Sequence, residues 1–157
     1  CGLLARAAGA AGMAGGQAID LASVGRVLTE AELRAMHRLK TGALLQAAVR
    51  MGAACAAPAL PVATRAALDD YGAAIGLAFQ VVDDILDVTA DSVQLGKTAG
   101  KDAAADKPTY VSLLGLAEAQ ALAARLHAQA HHALDASGLT TAALLRSLAD
   151  RVVMREN

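Results

Sequence analysis

Gln80, Asp83, Asp84 and Asp87 lie at spacings i, i+3, i+4 and i+7. At about 3.6 residues per helical turn this gathers an amide and three carboxylates on one stripe. Val81, Val82, Ile85 and Leu86 take the remaining faces. Three anions within two turns repel one another unless a cation lies among them. Carboxylate oxygens suit hard divalent ions, and Mg²⁺ (with Mn²⁺ as a substitute) commonly bridges protein carboxylates to a substrate phosphate. The stripe therefore predicts a site for a metal-bound phosphate ester; the competing reading is a solvated acidic face.

Downstream residues favour the first reading. Gly96-Lys97-Thr98-Ala99-Gly100-Lys101 and Asp106-Lys107-Pro108 follow the acidic stretch. Glycines around Lys97 let a loop approach a ligand closely. Lys97, Lys101 and Lys107 add positive charge beside the carboxylates, and the two together make an electrostatic clamp for a diphosphate.

These segments carry a resemblance to a known family. Asp83-Asp84-Ile85-Leu86-Asp87 followed by Leu95-Gly96-Lys97 resembles the second aspartate-rich motif of the trans-isoprenyl diphosphate synthases. Phe79-Gln80, Gly12-Met13-Ala14-Gly15-Gly16-Gln17-Ala18-Ile19-Asp20-Leu21 and His37-Arg38-Leu39-Lys40-Thr41-Gly42-Ala43-Leu44 match as well, in order and over nearly the whole chain. The chain is most similar to bacterial farnesyl diphosphate synthases. The resemblance implies an all-α, isoprenoid-synthase-type bundle. It also implies a Mg²⁺-dependent prenyltransferase that joins isopentenyl diphosphate to an allylic diphosphate, dimethylallyl or geranyl. In that picture Asp83 is the most direct metal ligand, with Asp84 and Asp87 acting through metal or water. Lys40, Lys97 and Lys107 hold diphosphate, and Thr41 and Gln80 turn oxygens toward the allylic cation. The family's first aspartate-rich motif and its arginine pair are not matched; Asp69-Asp70 is a bare acidic pair. Full members run to roughly twice this length, near the limit for one core. Residues 1–157 thus resemble one helical domain fragment, the C-terminal half of a synthase, expected to be inactive without its N-terminal half. The family's homodimeric habit is expected too. Two other readings share these features: a class I terpene cyclase or squalene-type synthase, and a non-catalytic helical subunit of a heteromeric synthase.

The rest of the sequence agrees with helices. Hydrophobic content is 55%, alanine dominates and aromatics are 2%, with no β-branched runs to favour strands. The apolar surplus suits faces that pack against a further surface. A net charge of −1 argues against a nucleic-acid surface, and no uncharged stretch reaches the roughly 18 residues of a membrane span. Cys1 and Cys55 lack metal-ligand spacing and read as reduced thiols of a cytoplasmic protein.

The spacing predicts about six helices. The first runs from Gly2 to about Ala22, with glycines that permit close packing. Thr29 and Glu32 form a capping box for a helix to Leu39, which continues to Ala57 with a kink at Thr41-Gly42 and ends at Pro58 and Pro61. Thr64 to Val88 is the long acidic helix. Thr109–Gly115, Glu118–Ala136 and a segment capped by Thr141 and reaching Arg155 complete the chain. Gln17 and Asp20 share a face and suit polar contacts around the site, and His37, three residues before Lys40, can help order it. His127, His131 and His132 include an i, i+4 pair, but no acidic partner stands at ligand spacing in sequence, so a solvated face is expected.

Overall fold

Alanine and leucine lose little side-chain entropy in a helix, and helices account for every regular element among the described residues. The computed structural model describes residues 1–56, 59–89 and 108–155. In order, the helices are α1 (Gly2–Ala8), α2 (Met13–Ala22), α3 (Glu30–His37), α4 (Ala43–Ala54), α5 (Val62–Thr89), α6 (Tyr110–Leu114), α7 (Leu116–Ala136) and α8 (Ala143–Val153). Between α3 and α4 the chain takes one turn of π-helix, Arg38–Gly42.

The expected single helix over residues 2–22 is two helices. Gly12, at φ −143° and ψ −133°, breaks it, and a Cβ there would lie 2.0 Å from the Ala7 carbonyl oxygen. The kink expected at Thr41-Gly42 is the π turn, in which one inserted residue widens the helix. The Thr29–Glu32 capping box forms as expected: the Thr29 N–H donates to Glu32 at 2.8 Å and the Glu32 N–H returns to Thr29 Oγ1 at 3.3 Å. Thr109 makes a second box with Ser112. The cap expected of Thr141 does not form; α8 begins after Ala142 with no side-chain cap and ends at Val153. Pro58 lies outside the described residues.

Helix α5 is the axis of the molecule. Gly76 meets Gly42 and Gly72 meets Gln46, while Arg50 bonds Asp69 at 2.5 Å, so α4 runs antiparallel to it. Thr64 Oγ1 donates to the Ser137 carbonyl at 2.8 Å, and the Tyr110 N–H meets Asp84; α7 is therefore antiparallel on another face. Two apolar clusters follow. Ala78, Val81, Val82, Leu33, Met36, Tyr110, Leu122 and Leu126 surround the C-terminal half of α5. Leu68, Tyr71, Ile75, Ala130, Leu134 and Ala149 surround its N-terminal half, where the Tyr71 hydroxyl donates to the Leu145 carbonyl at 2.7 Å. Leu21, Val24, Val27 and Leu144 stay exposed, in line with faces suited to a further surface.

Two glycines hold the π turn from either side. A Cβ on Gly16 of α2 would stand 2.2 Å from the Lys40 backbone nitrogen, and one on Gly76 of α5 would stand 2.9 Å from Gly42 Cα. Backbones approach this closely only where no side chain intervenes. Gly16→Ala is expected to lower stability by about 1–3 kcal/mol through overpacking. Gly52→Ala, in a helix with nothing within 4 Å, should raise it by about 0.5–1 kcal/mol. Urea denaturation of the two variants beside the parent measures both.

Candidate diphosphate and metal site

The π turn and the middle of α5 bring distant residues together. Thr41 Oγ1 donates to Gln80 Oε1 at 3.3 Å, although 39 residues separate them. Gln80 Nε2 donates to Asp84 Oδ1 at 3.0 Å. An ionised carboxylate only accepts, so the amide nitrogen must face Asp84 and the amide oxygen must face Thr41. Asp84 Oδ2 accepts the Tyr110 backbone N–H at 2.7 Å. Thr41, Gln80, Asp84 and Tyr110 thus form one hydrogen-bonded line tying the π turn, α5 and the start of α6.

Burial separates the three carboxylates that the sequence places on one stripe. Asp84 is 2% exposed, and both its oxygens bind protein donors. Asp83 is 57% exposed at its side chain, and Asp87, one turn on, is half-buried. Asp83 is open to solvent, and Asp84 turns toward α6. Asp84, expected to act through metal or water behind Asp83, also orients Gln80 and Tyr110 through these two hydrogen bonds.

Lys40 and Asp20 make a second pair. Lys40 Nζ lies 2.6 Å from Asp20 Oδ2, with the lysine partly open and the aspartate buried. This contact aims the ammonium and gives Asp20 of α2 the polar role expected of it. His37 is buried, with its ring 5.5 Å from that of Tyr110 and its Nδ1 without a hydrogen-bond partner. Desolvation, then the Lys40 charge, pushes its pKa down to about 4. His37 is thus neutral at physiological pH and adds no charge beside Lys40. Burial likewise pushes the Tyr110 hydroxyl pKa up.

Arg155 belongs to this region and was not anticipated. Its Nη2 binds Asp83 Oδ1 at 2.9 Å, and its guanidinium lies 4.4 Å from the Phe79 ring centroid. The two residues are 72 positions apart, so no local pattern announces the pair. Lys97 and Lys107 lie outside the described residues. A cavity of about 750 Å³ between α4, α5 and α7, bordered by Arg34, Arg38, Arg50, Asp70 and His132, includes none of Lys40, Thr41, Gln80 or Asp83; depth alone does not locate this chemistry.

The histidine pair also departs from expectation. His127 and His131 do have an acidic partner, Asp150, which α8 brings to them across the fold.

Asp84→Ala should cost about 2–4 kcal/mol, because it strands the buried Tyr110 N–H and the Gln80 amide. Asp83→Ala, which removes an exposed pair, should cost under about 1 kcal/mol. Chemical denaturation separates the two carboxylates. His37 gives a pH signature. Its folded pKa is depressed, so the unfolded chain binds the extra proton, and stability falls as pH drops from the unfolded value near 6.5 toward about 4. Between pH 7 and 5 the loss attributable to His37 should be about 2 kcal/mol, and His37→Gln should remove that part of the acid limb in urea titrations.

Comparison with known proteins identifies the family of the chain. The polyprenyl synthetase family profile covers residues 3–142. A protein of Bradyrhizobium diazoefficiens named "Probable farnesyl diphosphate synthase" is 55% identical over 86% of this chain and 41% of its own length. Farnesyl diphosphate synthase of Escherichia coli is 47% identical over 97% of this chain and 51% of its own. A crystal structure of a Helicobacter pylori geranyltransferase complexed with magnesium and isoprenyl diphosphate superposes with a TM-score of 0.78 at 33% identity, covering 97% of this chain and 49% of that one. The chain therefore spans about half the length of the relatives it matches. With a helical bundle in common and the family profile running from α1 to the start of α8, the chain belongs to the polyprenyl synthetase family.

Proposed function

We propose that this chain forms the diphosphate-leaving side of a prenyltransferase that joins isopentenyl diphosphate to an allylic diphosphate, giving farnesyl or a similar short-chain product. The observation that supports the reading most is the Thr41–Gln80 contact, with Lys40 next to it in the π turn and Asp83 one turn from Gln80 on α5. The relatives named farnesyl diphosphate synthase and the magnesium- and isoprenyl diphosphate-bound neighbour support the same reading.

The donor set fits a hard divalent ion. Asp83 and Asp87 carry carboxylate oxygens on α5, the hard donors that such an ion prefers. Bound Mg²⁺ would supply Lewis-acid charge stabilisation at the leaving diphosphate. Asp83 and Asp87 would hold the ion. Asp84, already bonded to Gln80 and Tyr110, keeps the acidic turn in register with the π turn. Lys40, aimed by Asp20, offers an ammonium to the allylic diphosphate, and Lys97 and Lys107 add two more by sequence alone. Charge placed where charge develops lowers the barrier to breaking the C–O bond. Thr41 and Gln80 then present oxygens to the allylic carbon as it becomes cationic, and isopentenyl diphosphate attacks that carbon. The proton lost afterwards passes to the released diphosphate, which acts as the base; isopentenyl diphosphate is itself the nucleophile, so none is required of the protein. His37, neutral, leaves the local balance of charge to Lys40 and the carboxylates. Arg155 is bonded to Asp83 and would have to release it for a metal to bind there.

The whole enzyme, in this reading, carries a second acidic motif on the other half, works as a homodimer and acts in the cytoplasm. No helix among the described residues is long and apolar enough to cross a membrane, and both cysteines are free and exposed. In the enzyme that contains this chain, Asp83→Ala should lower kcat by at least about a hundredfold while its helical circular dichroism matches the parent. A radiolabelled-isopentenyl assay with retained turnover would remove Asp83 from the site.

A further inference from the structure

A cluster away from the acidic stretch gathers three metal-ligating atoms. His127 and His131 stand one turn apart on α7, and Asp150 reaches them from α8. His127 Nε2 lies 2.7 Å from Asp150 Oδ1, His131 Nε2 lies 2.8 Å from the same oxygen, and the two nitrogens are 3.1 Å apart. The rings meet edge to face with centroids 4.6 Å apart. The side chains of His127, His131 and Asp150 are 23%, 27% and 43% exposed, so solvent reaches the triangle.

We infer that His127, His131 and Asp150 form a binding site for a borderline transition-metal dication of the Zn²⁺ class, one that fastens α8 to α7. The geometry is close to one face of a tetrahedron. With metal–nitrogen and metal–oxygen bonds of about 2.0–2.1 Å, ligand atoms sit about 3.3 Å apart. The present edges need open by about 0.2–0.6 Å to reach that spacing, within side-chain rotation. Two imidazoles with one carboxylate select Zn²⁺, Co²⁺ or Ni²⁺ over Mg²⁺, so the site is chemically separate from the carboxylates of α5. The fourth position opens to solvent and would take water. An i, i+4 histidine pair on one helix face is a recurrent bidentate arrangement.

Arg146 sets the strength of this site. Its Nη1 lies 3.3 Å from His131 Nδ1, and its Nη2 lies 2.5 Å from Asp135 Oδ1. A guanidinium only donates, so in this arrangement His131 carries its proton on Nε2, pointed at Asp150. Ligation through Nε2 requires that proton to move to Nδ1, and Arg146 must turn away toward Asp135. The cation also repels an arriving dication. Arg146 therefore opposes the metal by charge and by tautomer, and its removal should strengthen binding.

The test is calorimetric titration of Zn²⁺ into the full chain with Cys1 and Cys55 changed to Ser and Mg²⁺ in millimolar excess, with Co²⁺ absorption as the second readout. One equivalent per chain, a four-coordinate Co²⁺ spectrum and a rise in Tm with Zn²⁺ are expected. His127→Gln or His131→Gln should weaken binding at least about tenfold, and Arg146→Met should tighten it. Asp83→Ala should leave the stoichiometry unchanged. No saturable binding below about 100 µM, corresponding to under about 5.5 kcal/mol of affinity, overturns the inference. So does a histidine variant that binds as tightly as the parent. Should those variants misfold, Arg146→Met decides: unchanged or weaker Zn²⁺ binding in that variant also overturns it.

Discussion

Close backbone contact at the π turn is the constraint on which the rest of the site depends. Gly16 lies against Lys40 on one side and Gly76 lies against Gly42 on the other. With two missing side chains, α2 and α5 grip a helix that has taken one extra residue into its turn. A π turn breaks the i→i−4 pattern and rarely persists without outside support; here the support is backbone packed on backbone. The widened turn sets Lys40 against Asp20 and Thr41 against Gln80. A larger residue at either glycine pushes the turn out of register with α5, and both contacts fail together.

The acidic helix divides its labour by burial. Asp84 is among the few buried charged side chains of the described residues, and a buried carboxylate is tolerated when donors saturate it. Gln80 and Tyr110 each donate to one of its oxygens. Asp83, one residue earlier, is rotated by about a hundred degrees into the open, where it meets Arg155. Neighbours in sequence thus meet different surroundings: Asp84 is buried among protein donors, and Asp83 is open to solvent and paired with Arg155. The line from Thr41 to Tyr110 gives Gln80 a single orientation and leaves its amide oxygen on the side of the π turn.

Charges around the site are arranged so that few are wasted. Lys40 is directed by a buried aspartate, and His37 is kept neutral by burial and by that same lysine. At the far end of α7 the pattern differs. Two half-open imidazoles share one carboxylate oxygen, and Arg146 borders them while bonding Asp135. The first group is set by backbone contact and burial, the second by helices meeting across a partly solvated seam. A metal at the seam would act on the same helix, α8, that leads to Arg155 and so to Asp83.

Much of this was legible in the residues themselves. Alanine-rich composition implied helices, the Thr29–Glu32 spacing implied a cap, and the i, i+3, i+4, i+7 spacing brought the amide and carboxylates to one stretch. The motif resemblance named the chemistry, and Gly42 marked the distorted turn. These are local properties, carried by neighbours within a turn or two. Tertiary structure decided the rest. It broke the first helix at Gly12, turned Asp84 inward, joined Asp83 to Arg155 across 72 residues and brought Asp150 to a histidine pair that had no acidic partner in sequence. Helix periodicity fixes the angle between side chains on one rod but not which face meets another rod. That choice belongs to the packing of α5 against α4, α6 and α7, and only the folded chain contains it.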